Sequence, residues 1–183
     1  MRNPFNPSFG IQPTVLLDRE EVQSKLVKDI KALDTPYRTT LIYGNRGVGK
    51  TVFMNSVGKQ IDQDPTWITI HLIIGDNMVG RLAEMIYQQS TNKIKKIFDQ
   101  LSDINFEIGG LGLKFTLNEN VKNIRKNNQK VLVMIDEAQE VTGMVELASV
   151  YQVMISEGLP ISIIMTGLPK NVQDLQNNHV LTF

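Results

Sequence analysis

The chain contains the segment Gly44-Asn45-Arg46-Gly47-Val48-Gly49-Lys50-Thr51, which fits the pattern G-x-x-x-x-G-K-[ST]. Its glycines permit backbone conformations that a side chain would disfavour, so that successive amide groups can point inward and cradle phosphates. The residues before it, Thr39 to Tyr43, are β-prone, and Lys50 to Ile61 after it has apolar residues at helical spacing. A helix that begins at the loop directs its positive end at the same anion. The stretch therefore predicts a nucleoside triphosphate site.

The same pattern assigns roles to individual residues. Lys50 is expected to reach the β- and γ-phosphates and to act in catalysis, and the Thr51 hydroxyl is expected to be a ligand of Mg²⁺. ATP is the expected nucleotide, because the sequence has no N/T-K-x-D motif for guanine. The residues predicted to contact the nucleotide are Gly44, Asn45, Arg46, Gly47, Val48, Gly49, Lys50, Thr51 and Val52.

Two further strands are predicted to end in polar residues. Val131 to Ile135 is a continuous apolar run, typical of a strand buried on both faces, and it ends in Asp136 and Glu137. Ligands of open α/β sheets bind at the carboxyl ends of the strands. Asp136 is therefore predicted to face the metal, and Glu137 to orient or deprotonate the attacking water. The alternative is an acidic pair that caps the next helix.

The second of these strands, Ile161 to Gly167, has Thr166 at its polar end. If this strand reaches the same edge of the sheet, the Thr166 hydroxyl could bond the γ-phosphate or the attacking water. The alternative is a strand-end threonine that caps the following turn.

Strands alternate with helices through most of the chain, which predicts an α/β fold: a three-layer αβα P-loop domain with a mainly parallel sheet. Residues 1–183 are interpreted as a single domain, with an N-terminal arm at residues 1–15 and an inserted β-hairpin at residues 104–117. His71 lies in the middle of a predicted strand, Trp67 to Ile74, and is interpreted as structural. The other predicted helices cover residues 19–33, 77–101, 119–128, 144–157 and 169–177.

Composition excludes several classes of function. Lysine plus arginine and aspartate plus glutamate both number 19, so that net charge favours neither a nucleic-acid nor a membrane partner. The chain has no cysteine, which excludes disulfides, thiolate metal sites and cysteine nucleophiles. No apolar stretch approaches the ~20 residues of a membrane span, and the N-terminus does not have the pattern of a signal peptide. A cytoplasmic location is expected.

The sequence resembles the AAA+ ATPases, near the Orc1/Cdc6 and STAND branches. Gly44 to Thr51 matches Walker A, Asp136-Glu137 matches Walker B, and Thr166 occupies the position of sensor 1. Leu16-Leu17-Asp18-Arg19-Glu20 is similar to the h-h-[GD]-R-E segment of the family. The resemblance implies that Asp18 and Arg19 lie near the adenine.

Three departures from the family bear on activity. Sensor 1 is threonine here, where asparagine is common in the family. No arginine follows Arg125, so that the usual position of the arginine finger is empty. The chain also ends at Phe183, before the fifth core strand and the helical lid that the family would supply. Weak hydrolysis is expected, because an arginine finger alone contributes ~10³–10⁵ in rate. Without the fifth strand, the strand at Thr39 to Tyr43 is expected at a sheet edge, which invites self-association.

Three functions are compatible with these features. The first is an AAA+ ATPase core that hydrolyses ATP to drive conformational change or assembly in a larger protein. The second is a STAND-like nucleotide switch with slow turnover, and the third is an ATP-gated initiator or loader that binds DNA. Net charge gives the third no support.

Overall fold

The computed structural model describes residues 19–89, 128–139, 141–171 and 173, which form a parallel four-stranded sheet with helices on both faces. The strand order is β1-β4-β3-β2. The elements, in chain order, are α1 (Glu20–Ala32), a 3₁₀ turn (Pro36–Arg38), β1 (Thr39–Tyr43), α2 (Lys50–Ile61), β2 (Trp67–His71), α3 (Met78–Gln89), β3 (Lys130–Ile135), α4 (Thr142–Ser156) and β4 (Ile161–Gly167). The predicted α/β class is confirmed. The N-terminal arm, the hairpin at residues 104–117 and most of the helices at residues 119–128 and 169–177 lie outside the described residues.

Each strand divides its side chains between two apolar clusters, because successive residues of a strand point to opposite faces. In β3, Val131, Val133 and Ile135 pack into the cluster that α3 and α4 cover. Leu132 and Met134 pack into the cluster that α1 and α2 cover. This alternation produces the three predicted layers.

The amino-terminal ends of β1 and β4 are joined by hydrogen bonds. Arg38 Nη2 donates to the carbonyl oxygens of Leu159 and Ile161 at 2.6 and 3.0 Å. The Tyr151 hydroxyl of α4 lies 2.9 Å from Thr39 Oγ1 and donates to the Arg38 carbonyl oxygen at 3.0 Å. Burial raises the pKa of Tyr151. Among the described strands β1 lies at an edge of the sheet, as the sequence predicted.

The end of β2 differs from the sequence prediction. β2 ends at His71 and not at Ile74, although the Leu72 amide still donates to the Met134 carbonyl oxygen at 2.9 Å. Gly75 with φ 152° and Asn77 with φ 54° then turn the chain into α3. The placing of His71 in the middle of a strand was therefore wrong. β4 extends from Ile161 to Gly167, and its pairing with β1 continues to Tyr43.

In the part of the chain that the structure describes, no helix combines the length and the apolarity needed to cross a bilayer.

Asp64, in the turn between α2 and β2, joins that turn to the end of α1 on the α1–α2 side of the sheet. Its Oδ1 accepts hydrogen bonds from the Thr66 hydroxyl at 2.7 Å and the Thr66 amide at 3.1 Å. Its Oδ2 accepts from Lys31 Nζ, in the last turn of α1, at 3.2 Å. The Thr66 hydroxyl, the Thr66 amide and Lys31 favour the ionised carboxylate and lower its pKa from 3.8 to about 2.

We predict that Asp64→Asn lowers stability at neutral pH and that this deficit disappears in acid. A carboxylate with a depressed folded-state pKa contributes stability above its unfolded-state pKa and loses that contribution as the pH falls through the folded-state value. The difference between wild type and variant should therefore narrow between about pH 4 and pH 2. Urea unfolding followed by circular dichroism at pH 7, 4 and 3 measures it. Asp62→Asn is the matched control, since the Asp62 side chain makes no hydrogen bond or ion pair among the described residues. A deficit that does not change with pH would contradict the assignment.

Candidate functional site

In the glycine-rich loop between β1 and α2, the Lys50 ammonium group bonds to the backbone of the loop itself. Gly47 and Gly49 have φ angles of 81° and 84°, which residues with a Cβ atom rarely adopt. Lys50 Nζ donates to the carbonyl oxygens of Gly44 at 2.8 Å and Asn45 at 2.9 Å. The lysine therefore folds over the loop, and its ammonium group lies at the amino terminus of α2, where an anion is favoured.

Close packing holds α2 against the sheet. A Cβ atom at Gly58 would lie 2.7 Å from Sδ and Cε of Met134 in β3, so that a larger residue there would require the end of the methionine side chain to shift. Gly58 and Met134 are both buried. Because α2 begins at Lys50 and packs over β3 and β4, its first turn lies at the carboxyl ends of those strands.

The Asp136 carboxylate accepts three hydrogen bonds from three different segments. Its Oδ2 accepts from the Thr51 hydroxyl of α2 at 2.8 Å. Its Oδ1 accepts from the Thr166 hydroxyl of β4 and from the Glu137 amide, the latter at 3.0 Å. The structure thus brings together the predicted metal ligands, Thr51 and Asp136, and places Thr166 beside them.

Strand register explains why Asp136 and Thr166 meet. Ile135 of β3 is paired with Met165 of β4, so that the next residue of each strand lies at the same level. Both residues follow a side chain of the α3–α4 cluster, and strand alternation therefore directs them to the face that α2 covers. Thr166 is completely buried.

Glu137 has a left-handed backbone conformation, with φ 56°. Residues other than glycine adopt this region uncommonly, and such residues are frequent at functional sites. The Glu137 amide donates to Asp136 Oδ1 and to Thr166 Oγ1, at 3.0 and 3.2 Å, and the Ala138 amide donates to the Thr166 carbonyl oxygen at 2.6 Å. The Glu137 side chain is exposed at the carboxyl edge of the sheet.

A cleft of about 380 Å³ opens beside the two carboxylates. His71 and Gln139 contribute polar groups to its wall, and Met54, Leu72, Ile73, Ile74 and Met134 contribute apolar ones. Sequence reasoning missed His71 as a residue of the site. The signal was its position at the end of a strand, which the overlong prediction for β2 concealed.

The oxygen atoms at the carboxyl edge suit a hard divalent cation. Thr51 offers a hydroxyl and Asp136 a carboxylate, and Mg²⁺ in proteins prefers few protein oxygens together with phosphate oxygens and water. Both groups lie beside the loop that would hold those phosphates. The residues therefore fit Mg²⁺.

A sequence model of the family described as AAA domain matches residues 34–176, which is more than half of the chain. The chain belongs to the AAA+ ATPases. The resemblance inferred from the Walker motifs is thereby confirmed.

Chromosomal replication initiator proteins resemble this ATPase domain over part of their length. The chromosomal replication initiator protein DnaA of Streptococcus mutans is 27% identical over 104 residues, which cover 55% of this chain and 23% of that protein. DnaA of Thermotoga petrophila is 18% identical over 139 residues, which cover 73% of this chain and 32% of that protein. The chain therefore spans less than a third of the length of these relatives.

One solved structure has the same fold. The Orc1 protein of Aeropyrum pernix, determined in complex with DNA, superposes with a TM-score of 0.52 at 17% identity. The match covers 90% of this chain and 42% of the Orc1 chain. At this level of identity the similarity shows a shared fold.

The remaining predicted residues of the AAA+ site have different placements. Arg19 precedes α1 and donates from Nη2 to the Val48 carbonyl oxygen of the loop at 3.4 Å, so that it lies beside the phosphate-binding segment. Arg46 and Val48 are exposed in the loop, and Val52 is half-buried in the first turn of α2. Asp18 lies outside the described residues, and its predicted contact with adenine stays a prediction.

We predict that Lys50→Ala weakens nucleotide binding by roughly 10- to 100-fold in Kd, since a charge-assisted bond to phosphate contributes ~1.5–3 kcal/mol. Isothermal titration calorimetry with ATP and Mg²⁺ measures this. Lys59→Ala is the matched control, because Lys59 is exposed in the last turn of the same helix. Equal affinities for wild type and Lys50→Ala would show that Lys50 does not bind the nucleotide.

Proposed function

We propose that the chain binds ATP with Mg²⁺ at Gly44 to Thr51 and hydrolyses it, as the ATPase core of a larger protein in which nucleotide turnover changes conformation or assembly. The observation that carries this proposal is the hydrogen bond of 2.8 Å between the Thr51 hydroxyl and the Asp136 carboxylate, residues 85 positions apart in the chain. A hydroxyl and a carboxylate, both of the kind that bind Mg²⁺, meet at the amino end of a helix that follows a glycine-rich loop. This is the arrangement that a nucleoside triphosphate and its cation require.

Each residue has a chemical task in the proposed reaction. Lys50 leaves the carbonyl oxygens of the loop for the β- and γ-phosphates and offsets their charge. Thr51 and Asp136 hold the cation, which when bound draws electron density from the phosphate oxygens. Glu137 accepts a hydrogen bond from the attacking water and orients its oxygen toward the γ-phosphorus.

Of the two carboxylates, that of Glu137 is better placed to bind the attacking water. Asp136 already accepts three hydrogen bonds from protein groups, whereas the Glu137 carboxylate is exposed at the mouth of the cleft. We therefore assign cation binding to Asp136 and the role of general base to Glu137.

We predict that Glu137→Gln keeps the ATP affinity of the wild type and removes hydrolysis. The amide preserves the shape of the side chain but cannot accept a proton from water. Single-turnover hydrolysis with protein in excess over radiolabelled ATP measures the chemical step even where turnover is slow.

The control for that experiment is Glu146→Gln, which makes the same change on the exposed face of α4. Hydrolysis by Glu137→Gln at the wild-type rate would contradict the role of Glu137. A slow wild-type rate with nucleotide retained through purification would favour the STAND-like switch over a turnover-driven machine.

A second candidate function is an ATP-gated contact with DNA. The relatives that favour it are named chromosomal replication initiator proteins, and the solved Orc1 structure of the same fold is in complex with DNA. The zero net charge of the chain argues against strong non-specific binding by this segment.

For this candidate we predict that a fluorescent DNA duplex gains anisotropy with the protein and Mg²⁺-ATP at about 50 mM salt, and gains less with ADP. Phosphate contacts weaken steeply with salt, so that a low-salt condition gives the assay its best sensitivity. The control is Lys50→Ala, which should abolish the difference between the nucleotides. No binding under any of these conditions would exclude a DNA contact within the chain.

A further inference from the structure

The loop between β2 and α3 contacts the start of α4 at two glycines. A Cβ atom at Gly143, in the first turn of α4, would lie under 3.0 Å from the Gly75 carbonyl oxygen, closer than real Cβ atoms come. It would also lie 3.2 Å from the Gly75 carbonyl carbon and 3.0 Å from Cγ of Met78, which is completely buried. A side chain at position 143 would therefore have to displace backbone atoms of the loop.

Local preference does not explain the glycine at position 143. Gly143 lies within α4, where any L-residue can adopt the backbone conformation, and glycine is about 1 kcal/mol less favourable than alanine in a helix. The α4 helix also has no side-chain cap at its amino terminus that glycine would serve. The close approach of Gly75, whose own φ is 152°, is the feature that requires glycine at this position.

The two contacting segments continue into two walls of the cleft at the carboxyl edge. One wall consists of residues 71–74, which directly precede Gly75. The other wall includes Asp136 and Glu137 and extends to Gln139, shortly before α4 begins. The glycine contact thus joins the segments behind both walls, and it sets how far apart the walls stand.

Of the two contacting segments, the loop is the one that would yield. The α4 helix is held in the core by Met144, Leu147, Ala148, Val150, Tyr151 and Met154. The loop leaves 75% of Ile73 exposed, and it turns through Gly75 and Asn77 with φ angles of 152° and 54°. Arg81 Nη2 donates to the Ile73 carbonyl oxygen at 2.7 Å, which is an exposed bond. A larger residue at position 143 would therefore push the loop away from α4 and widen the cleft.

We infer that Gly143 is a positioning residue whose contact with Gly75 fixes the separation of the cleft walls, and that hydrolysis requires this separation. The second half of the inference rests on the proposed function. Ile73 and Ile74 line the same cleft as Glu137, so that a wider cleft admits bulk water beside the carboxylate and leaves the attacking water without a fixed position.

The inference separates the chemical step from nucleotide binding. Among the described contacts, no hydrogen bond joins the β2–α3 loop to the phosphate loop, to Thr51 or to Asp136. The groups proposed to hold the phosphates and the cation therefore keep their positions when the loop moves. A side chain at position 143 should slow hydrolysis and leave the affinity for nucleotide unchanged.

The first experiment compares Gly143→Ala with Gly80→Ala, which makes the same change in the first turn of α3. The atoms nearest to a Cβ at Gly80 belong to the Asn77 side chain, which can rotate away where a backbone carbonyl group cannot. We expect single-turnover hydrolysis by Gly143→Ala to be roughly 10- to 100-fold slower, as a displacement of about 1 Å can cause, with the calorimetric Kd for Mg²⁺-ATP within about two-fold of the wild type. Gly80→Ala should equal the wild type in both measurements.

Three results of this experiment would overturn the inference. The first is an unchanged rate in Gly143→Ala. The second is a loss of affinity as large as the loss of rate, which would indicate general damage to the nucleotide site. The third is an equal loss of rate in Gly80→Ala, which would mean that the contact with the Gly75 backbone is not the cause.

The second experiment measures the wall position without nucleotide. The chain has no cysteine, so that spin labels attach only at introduced ones. Ile73→Cys with Glu146→Cys reports the loop against α4, Glu84→Cys with Glu146→Cys reports α3 against α4, and all three positions are exposed. In Gly143→Ala, electron paramagnetic resonance should give a loop-to-α4 distance longer by about 1–2 Å, which restores van der Waals contact, and an unchanged distance between the helices.

The wild type provides a test that does not depend on how well Gly143→Ala folds. Its loop-to-α4 distance distribution should be as narrow as the distribution between the two helices. A broad loop-to-α4 distribution in the wild type would overturn the inference, and so would an unchanged mean distance in folded Gly143→Ala. If the distances are as expected but the wild type hydrolyses no ATP, the proposed function is rejected and the glycine contact stands.

Discussion

The hydrogen bonds that the Asp136 carboxylate accepts hold the segments of the site together. Three donors converge on it, from the first turn of α2, from the end of β4 and from the backbone of the next residue. A half-buried carboxylate is costly unless such bonds satisfy it. The bonds therefore both stabilise the charge and fix the relative positions of the phosphate loop, the acidic turn (Asp136 to Ala138) and β4 between them.

The sheet makes this convergence possible. β4 lies between β1 and β3, so that the strand before the phosphate loop and the strand before Asp136 are not neighbours. Thr166 and Gly167, at the end of the intervening strand, contact both sides. At the other end of the same strands, hydrogen bonds of Arg38 and Tyr151 join the amino-terminal ends of β1 and β4. Hydrogen bonds thus fix β4 at both of its ends.

The backbone of the acidic turn shows where local and tertiary preferences disagree. A glutamate at φ 56° is disfavoured on its own, and a prediction from propensity would not place it there. The Asp136 and Thr166 side chains supply acceptors for its amide, and the Thr166 carbonyl oxygen supplies one for the amide of Ala138. The conformation persists because the surrounding structure determines it, as is common at functional sites.

The class of fold, the phosphate loop and the pair of residues proposed to bind the cation follow from the sequence alone. These depend on local features: glycines at positions with φ angles of 81° and 84°, a lysine and a threonine at fixed spacing, and an apolar run that ends in acidic residues. Tertiary structure decided that β2 ends at His71, that Glu137 is left-handed and that Thr166 bonds to both acidic residues. Those outcomes depend on the register between β3 and β4 and on packing between distant segments. Periodicity along one strand carries no information about which residue of another strand lies beside it.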